Sequence, residues 1–166
     1  MNQRRAKQLR AFDRLLTIMD ELREQCPWDK KQTFSSIVSS TLEEAYEVAE
    51  TIEREDYGHL EEELGDLLFQ VIFYCQLGQE EQRFNFEGVV SGLAGKLLRR
   101  HPHVFPGGGL HEASIAEPIV DESAVKKQWE ALKQGEREAK GQKGALADIP
   151  LNFPALSRSQ KLQKRA

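Results

Sequence analysis

Apolar residues recur every three or four positions along most of this 166-residue chain, and they rarely alternate with polar residues. A spacing of three to four places side chains on one face of an α-helix, whereas alternation would indicate a strand. The pattern therefore predicts an all-α fold, a bundle built from helical hairpins. We predict helices over about 6–24, from a cap at Thr33 or Ser35 to about 55, and over about 59–82, 86–100 and 123–140.

Charge is distributed unevenly along the chain. The formal net charge is only −4, which does not suggest a nucleic-acid-binding protein. Residues 43–66 nevertheless hold eleven acidic residues and one basic residue, Arg54. The chain has no apolar run near the roughly 18 residues of a membrane span, and its N-terminal segment does not resemble a secretory signal. We therefore expect a cytoplasmic protein with no membrane partner.

The predicted second and third helices carry carboxylates in unusual places. Glu44 and Glu47 lie neither on the polar stripe of Glu43 nor on the apolar stripe that we expect to face the core. The third helix is apolar nearly all round, yet it carries Glu63 and Asp66. Unpaired buried charge is costly, and a metal cation would compensate it. The expected core stripe of the second helix comprises Val38, Leu42, Ala45, Ala49 and Ile52.

The spacing of these acids supports a metal site. Glu44 and Glu47, like Glu63 and Asp66, are three residues apart, so each pair projects from one side of its helix. A short turn at 56–58 predicts an antiparallel hairpin in which the four carboxylates converge. Oxygen ligands without histidine or thiolate favour Mg²⁺ or Mn²⁺ over zinc. Four acids overcompensate one divalent ion, so we expect at least two Mg²⁺ per site.

A basic cluster closes the predicted fourth helix. Lys96, Arg99 and Arg100 lie within about one turn of its C-terminus. These cations either compensate the helix dipole or bind phosphate, for which the arginine fork is well suited.

The loop after the first helix offers a second set of candidates. Trp28 either stacks on a nucleotide base or is a buried structural tryptophan beside a proline. Lys30 or Lys31 is placed to meet a phosphate.

Several segments together resemble the MazG nucleoside triphosphate pyrophosphohydrolases, over about residues 10–166. The family pattern Glu-Glu-x-x-Glu, a spacer and Glu-x-x-Asp is met by Glu43, Glu44, Glu47, Glu63 and Asp66. The resembling segments are CPWD at 26–29, QT at 32–33, LEEAYE at 42–47, EELGDLLFQV at 62–71 and KLLRRHPHVF at 96–105.

This resemblance implies an activity and a set of roles. It implies Mg²⁺-dependent hydrolysis of (d)NTPs to monophosphate and pyrophosphate, in the service of nucleotide-pool housecleaning. It also implies an all-α bundle of the NTP pyrophosphohydrolase type that forms a homodimer, with active sites near the subunit boundary. By position, Glu43 would orient water, and Lys96, Arg99 and Arg100 would face phosphate or the interface. The implied metal ligands are Glu44, Glu47, Glu63 and Asp66.

The same resemblance divides the chain. Residues 1–140 correspond to the MazG-like domain, and residues 141–166 resemble the linker and opening of a second module. One alternative is a catalytically weak, metal-binding dimerisation module of a longer two-module enzyme. Another is a hydrolase of a guanosine alarmone. A nucleic-acid-binding role for the basic tail at 158–165 is disfavoured by its short length and by the acidic bulk of the chain.

Overall fold

The computed structural model describes residues 2–110, 121–139, 141, 149 and 153–163. Within these residues the regular structure is entirely helical, which confirms the predicted all-α fold. Residues 140 and 164–166, which belong to the predicted fifth helix and the basic tail, lie outside the described part. The helices are α1 (Gln3–Gln25), α2 (Val38–Glu53), α3 (Tyr57–Glu80), α4 (Phe86–Arg100), α5 (Glu122–Ala139) and α6 (Ala155–Gln163), with a short 3₁₀-helix at Asp29–Lys31.

The predicted start of α2 was too early. Thr33 and Ser36 bond each other: the Thr33 backbone N–H donates to Ser36 Oγ at 2.8 Å, and the Ser36 N–H donates to Thr33 Oγ1 at 3.3 Å. This local turn occupies the hydroxyl of Thr33, one of the two predicted caps, and α2 begins only at Val38. Helix α6 was not predicted, because it has only nine residues and few apolar positions.

The chain divides into two compact units, residues 1–92 and 93–166. In the first unit, α3 packs against α2 and α1, and α1 also packs against the 3₁₀-helix. This unit is held by a small apolar core between α1, the segment before α2, and the C-terminal half of α3. The buried members of that core are Met19, Ile37, Ile72, Phe73 and Leu77.

The apolar stripe of α2 does not face this core. Leu42 is 53% exposed and Ile52 is 51% exposed, so our expectation that the stripe packs inside the chain is wrong. Periodicity identifies an apolar face of a helix but not the surface that covers it. The face that α2 turns inward is more polar and consists of the half-buried Ser40, Thr41, Glu44, Glu47, Val48 and Thr51.

In the second unit, two basic side chains lie over the aromatic ring of Trp129 on α5. The Lys133 ammonium lies 4.1 Å from the centroid of the Trp129 ring, and the Arg100 guanidinium carbon lies 5.9 Å from it. These distances are typical of cation–π contacts. Trp129 therefore ties the end of α4 to α5.

Candidate active site

The turn between α2 and α3 sets up an antiparallel hairpin. Glu55 adopts a left-handed backbone conformation with φ of 57°. Asp56 then caps α3, because its carboxylate accepts from the His59 backbone N–H at 3.3 Å and lies 2.6 Å from His59 Nδ1. Further along the hairpin, the hydroxyls of Thr41 and Tyr74 are 3.0 Å apart. These contacts fix which residues of the two helices stand opposite each other.

Three acidic residues meet across this hairpin. Glu44 of α2 and Glu63 and Asp66 of α3 each offer a carboxylate oxygen, and these oxygens all lie within 4.8 Å of one another. Glu44 and Glu63 are half-buried, whereas Asp66 is exposed. Three convergent carboxylates open to solvent on one side form a donor set that suits a hard divalent cation.

The electrostatics of the cluster are repulsive. Partial burial raises the pKa of Glu44, and the charges of Asp66 and Glu47 raise it further. Burial likewise raises the pKa of Glu63, with Glu47 and Asp66 adding to the shift. In the part of the chain that is described, no lysine or arginine pairs with these carboxylates. A bound cation would relieve this repulsion.

Glu47 and Glu43 flank the cluster. Glu47 is not one of the three residues whose oxygens lie within the 4.8 Å limit. Its side chain nevertheless contacts Glu44, and its charge raises the pKa of both Glu44 and Glu63. Glu43 is exposed on α2, and its charge also raises the pKa of Glu44. The hairpin therefore brings three acids to metal-ligand spacing and holds two more beside them.

Trp28, Lys30 and Lys31 lie together in the loop that follows α1. Trp28 is 61% exposed, so it is not the buried structural tryptophan of the alternative interpretation. Both lysines are exposed on the 3₁₀-helix, while Asp29, which directly precedes them, is buried. The loop thus presents one large aromatic side chain and two cations to solvent.

Arg23 of α1, which was not among the predicted site residues, anchors this loop. Its guanidinium donates to the backbone carbonyls of Asp29 and Gln32, the second at 3.3 Å. It also donates to the Glu80 carboxylate of α3 through Nε at 2.9 Å and Nη2 at 2.5 Å. The available signal was spacing, because Arg23 follows the buried Met19 by four residues and so shares its helical face.

The basic cluster of α4 belongs to the second unit. Arg100 Nη2 lies 2.5 Å from the Glu136 carboxylate, and Arg99 Nη2 lies 3.5 Å from it. The hydrogen bond from Arg100 lowers the pKa of Glu136. Two of the three predicted phosphate-binding cations therefore have a carboxylate partner on α5, and Lys96 is half-buried. Their role at a phosphate stays a prediction.

The acidic hairpin coincides with a known domain. Residues 32–105 match the family model of the MazG nucleotide pyrophosphohydrolase domain. The chain carries a MazG domain. The matched range contains the five candidate site acids of the hairpin and the three cations of α4, whereas Trp28, Lys30 and Lys31 lie before it.

The similarity to curated relatives extends beyond residues 32–105 in both directions along the chain. A nucleoside triphosphate pyrophosphohydrolase of Escherichia coli K12 is 53% identical over 157 residues, which cover 93% of this chain and 56% of the relative. A nucleoside triphosphate pyrophosphohydrolase/pyrophosphatase MazG of Thermotoga maritima is 38% identical over 160 residues, covering 93% of this chain and 56% of the relative. The chain therefore spans about half the length of these relatives.

A solved structure supports the fold of the MazG domain. The crystal structure of a mazG-related protein from Thermotoga maritima superimposes with a TM-score of 0.58 and is 26% identical. The superposition covers 74% of this chain and 98% of that one. Among the described residues, no helix has the length and hydropathy needed to cross a membrane.

Proposed function

We propose that this chain is a Mg²⁺-dependent nucleoside triphosphate pyrophosphohydrolase that converts (d)NTPs to monophosphate and pyrophosphate. The observation that carries the proposal is the cluster of Glu44, Glu63 and Asp66 inside a MazG domain. The names of the curated relatives support the same reaction. The biological role that we propose is nucleotide-pool housecleaning, in the cytoplasm, where nucleoside triphosphates are made and consumed.

The acidic residues fit a hard divalent cation. Glu44, Glu63 and Asp66 would hold it, with Glu47 beside them, because carboxylate oxygens are the ligands that Mg²⁺ and its substitute Mn²⁺ prefer. When bound, the cation would neutralise triphosphate charge and lower the pKa of a water. Binding would also remove the mutual repulsion that raises the carboxylate pKa values.

The remaining candidates would bind and orient the substrate. Trp28 is exposed and free to stack on a nucleotide base. Glu43 is exposed next to Glu44 and would orient the attacking water, since an ionised carboxylate accepts hydrogen bonds. The side chains proposed to meet the phosphates are Lys30, Lys31, Lys96, Arg99 and Arg100.

We also propose that the active molecule is a homodimer. The apolar stripe of α2 is exposed in this chain, and Leu64 and Val71 of α3 are 49% and 41% exposed. Side chains of this kind at regular helical spacing are typical of a surface that a partner covers. A second copy of the chain is the occupant that we propose, and residues 1–140 form the domain that carries the site.

The decisive experiment is a hydrolysis screen across standard and altered (d)NTPs, with and without Mg²⁺. Products are resolved as monophosphate plus pyrophosphate or as diphosphate plus phosphate. We expect monophosphate and pyrophosphate, and only with the metal. Retained metal binding without turnover would identify the weak dimerisation module instead, and preferential cleavage of guanosine tetraphosphate would identify the alarmone hydrolase.

The variants Glu44→Gln and Asp66→Asn test whether these two carboxylates are metal ligands that the reaction needs. Each removes one charged ligand while keeping the side-chain shape, so we expect at least a 100-fold loss of kcat/KM with unchanged helical circular dichroism. The matched control is Glu53→Gln, an exposed acid on the same helix α2, which we expect to keep wild-type activity. Near-wild-type turnover of either site variant would remove that residue from the metal ligands.

A further inference from the structure

Gln70 of α3 is buried without a partner for its carbonyl oxygen. The residue is only 7% exposed. Its Oε1 atom is inaccessible to solvent and accepts no hydrogen bond from any described residue. Buried polar groups in proteins are almost always hydrogen-bonded, because leaving one unpaired costs free energy. The position of Gln70 therefore calls for a binding partner that the described residues do not supply.

The helical register places Gln70 beside the acidic cluster. It follows Glu63 by seven residues and Asp66 by four, so all three share one face of α3. One turn further on that face, Tyr74 meets Thr41 of α2 at 3.0 Å. Gln70 thus lies on the strip of α3 that faces α2, between this hydroxyl pair and the acids.

Neither kind of neighbour on that strip donates to the Gln70 oxygen. The hydroxyls of Thr41 and Tyr74 bond each other, and the Thr41 hydroxyl also donates to the Ile37 carbonyl. Ionised carboxylates accept hydrogen bonds and cannot donate them. An acceptor that has only other acceptors beside it is satisfied when a cation, or a water that donates to it, lies between them. A neutral amide oxygen also adds a ligand without adding charge to a group whose repulsion is already strong.

We propose that Gln70 supplies a further oxygen donor to the divalent cation, either directly or through a water bound to it. Amide carbonyl oxygens are ordinary ligands of hard cations. This inference rests on the proposed metal site of Glu44, Glu63 and Asp66, and it adds a residue outside the Glu-Glu-x-x-Glu and Glu-x-x-Asp pattern.

The test measures Mn²⁺ binding to the full chain without nucleotide, by titration calorimetry and by electron paramagnetic resonance of free Mn²⁺. Gln70→Met keeps the side-chain length and removes the oxygen. We expect the Kd for Mn²⁺ to rise about tenfold, while the melting temperature of the metal-free protein stays the same or rises. The control is Gln79→Met, the same change at an exposed position of α3, for which we expect wild-type binding.

The outcomes separate this inference from the proposed function. If wild type binds Mn²⁺, Glu44→Gln does not, and Gln70→Met binds like wild type, the role of Gln70 is overturned while the metal site stands. If wild type binds no Mn²⁺, both are overturned. Should Gln70→Met fail to fold, Gln70→Glu decides: metal binding at least as tight as wild type supports the proposal, and weaker binding overturns it.

Discussion

Arg23 joins three parts of the first unit through a single side chain. Its side chain is 12% exposed, and its guanidinium carbon lies 5.6 Å from the centroid of the Phe73 ring. The hydrogen bond to Glu80 raises the pKa of Arg23 and lowers that of Glu80. Because Arg23 also holds the backbone carbonyls of Asp29 and Gln32, it fixes the loop that presents Trp28.

This ion pair makes stability depend on pH. The pKa of Glu80 is lower in the folded chain than in the unfolded one, so its stabilisation is full above the ordinary carboxyl pKa. This stabilisation is lost as the pH falls through the lowered pKa of Glu80 in the folded chain. We expect Glu80→Gln to cost about 1 kcal/mol at neutral pH, after allowing for the partial exposure of Glu80.

Urea unfolding of wild type and Glu80→Gln, at neutral pH and near pH 3, checks this expectation. The difference in free energy of unfolding between wild type and Glu80→Gln should be smaller near pH 3 than at neutral pH. The control is Glu24→Gln, an exposed acid on α1, for which we expect little difference at either pH. If the difference in free energy of unfolding stays the same at both pH values, the Glu80 charge does not stabilise the fold.

At the scale of the helical element, two of the three glycines of α3, Gly65 and Gly78, lie in contrasting surroundings. A Cβ built on Gly78 would lie 2.7 Å from Cε2 of Phe84, and two more atoms of that ring lie within 2.9 Å. The Gly78 carbonyl also accepts from the Arg83 N–H at 2.8 Å, where the chain leaves the helix. Gly65 is exposed, and a Cβ there would meet nothing within 4 Å.

The two glycines predict opposite responses to alanine. Gly65→Ala should stabilise the chain by about 0.5–1 kcal/mol, since alanine loses less backbone entropy in a helix. Gly78→Ala should destabilise it by about 1–3 kcal/mol, because the Phe84 ring must move. Chemical denaturation of both variants measures the difference. If Gly78→Ala stabilises the chain, the Phe84 ring can move aside without lowering the free energy of unfolding.

At the scale of the whole molecule, the chain leaves much of its helical apolar surface exposed. On α2 the exposed stripe comprises Val38, Leu42, Ala45, Ala49 and Ile52. The same hairpin carries the acidic cluster on its inner face. Covering the stripe with a second copy would bury apolar surface and stiffen the helix that presents Glu44, which links assembly to the site.

Leu42→Gln tests this proposed interface. A polar side chain in the middle of a stripe that the second copy covers should raise the dimer dissociation constant about tenfold or more. The helical circular dichroism should stay unchanged. Sedimentation velocity over a range of concentrations measures the effect. Leu9→Gln, the same change at an exposed position of α1, is the control and should leave assembly unchanged. A wild-type chain that sediments as a monomer would contradict the dimer.

The fold class and the acid pairs followed from spacing alone. A repeat of three to four residues defines helices, and a gap of three residues places Glu63 and Asp66 on one side of α3 whatever else the chain does. The short turn before α3 then made the hairpin antiparallel. These features are local, because they depend on residues within a few positions of one another.

Tertiary structure alone decided which helix faces are covered and which partners distant residues find. The stripe of α2 was expected to pack inside, yet Leu42 is exposed. Arg23 meets Glu80, 57 residues away, and the buried oxygen of Gln70 has no partner among the described residues. Periodicity specifies the direction of a side chain from its own helix axis. Burial and pairing depend on what stands opposite, which is set only when the helices pack.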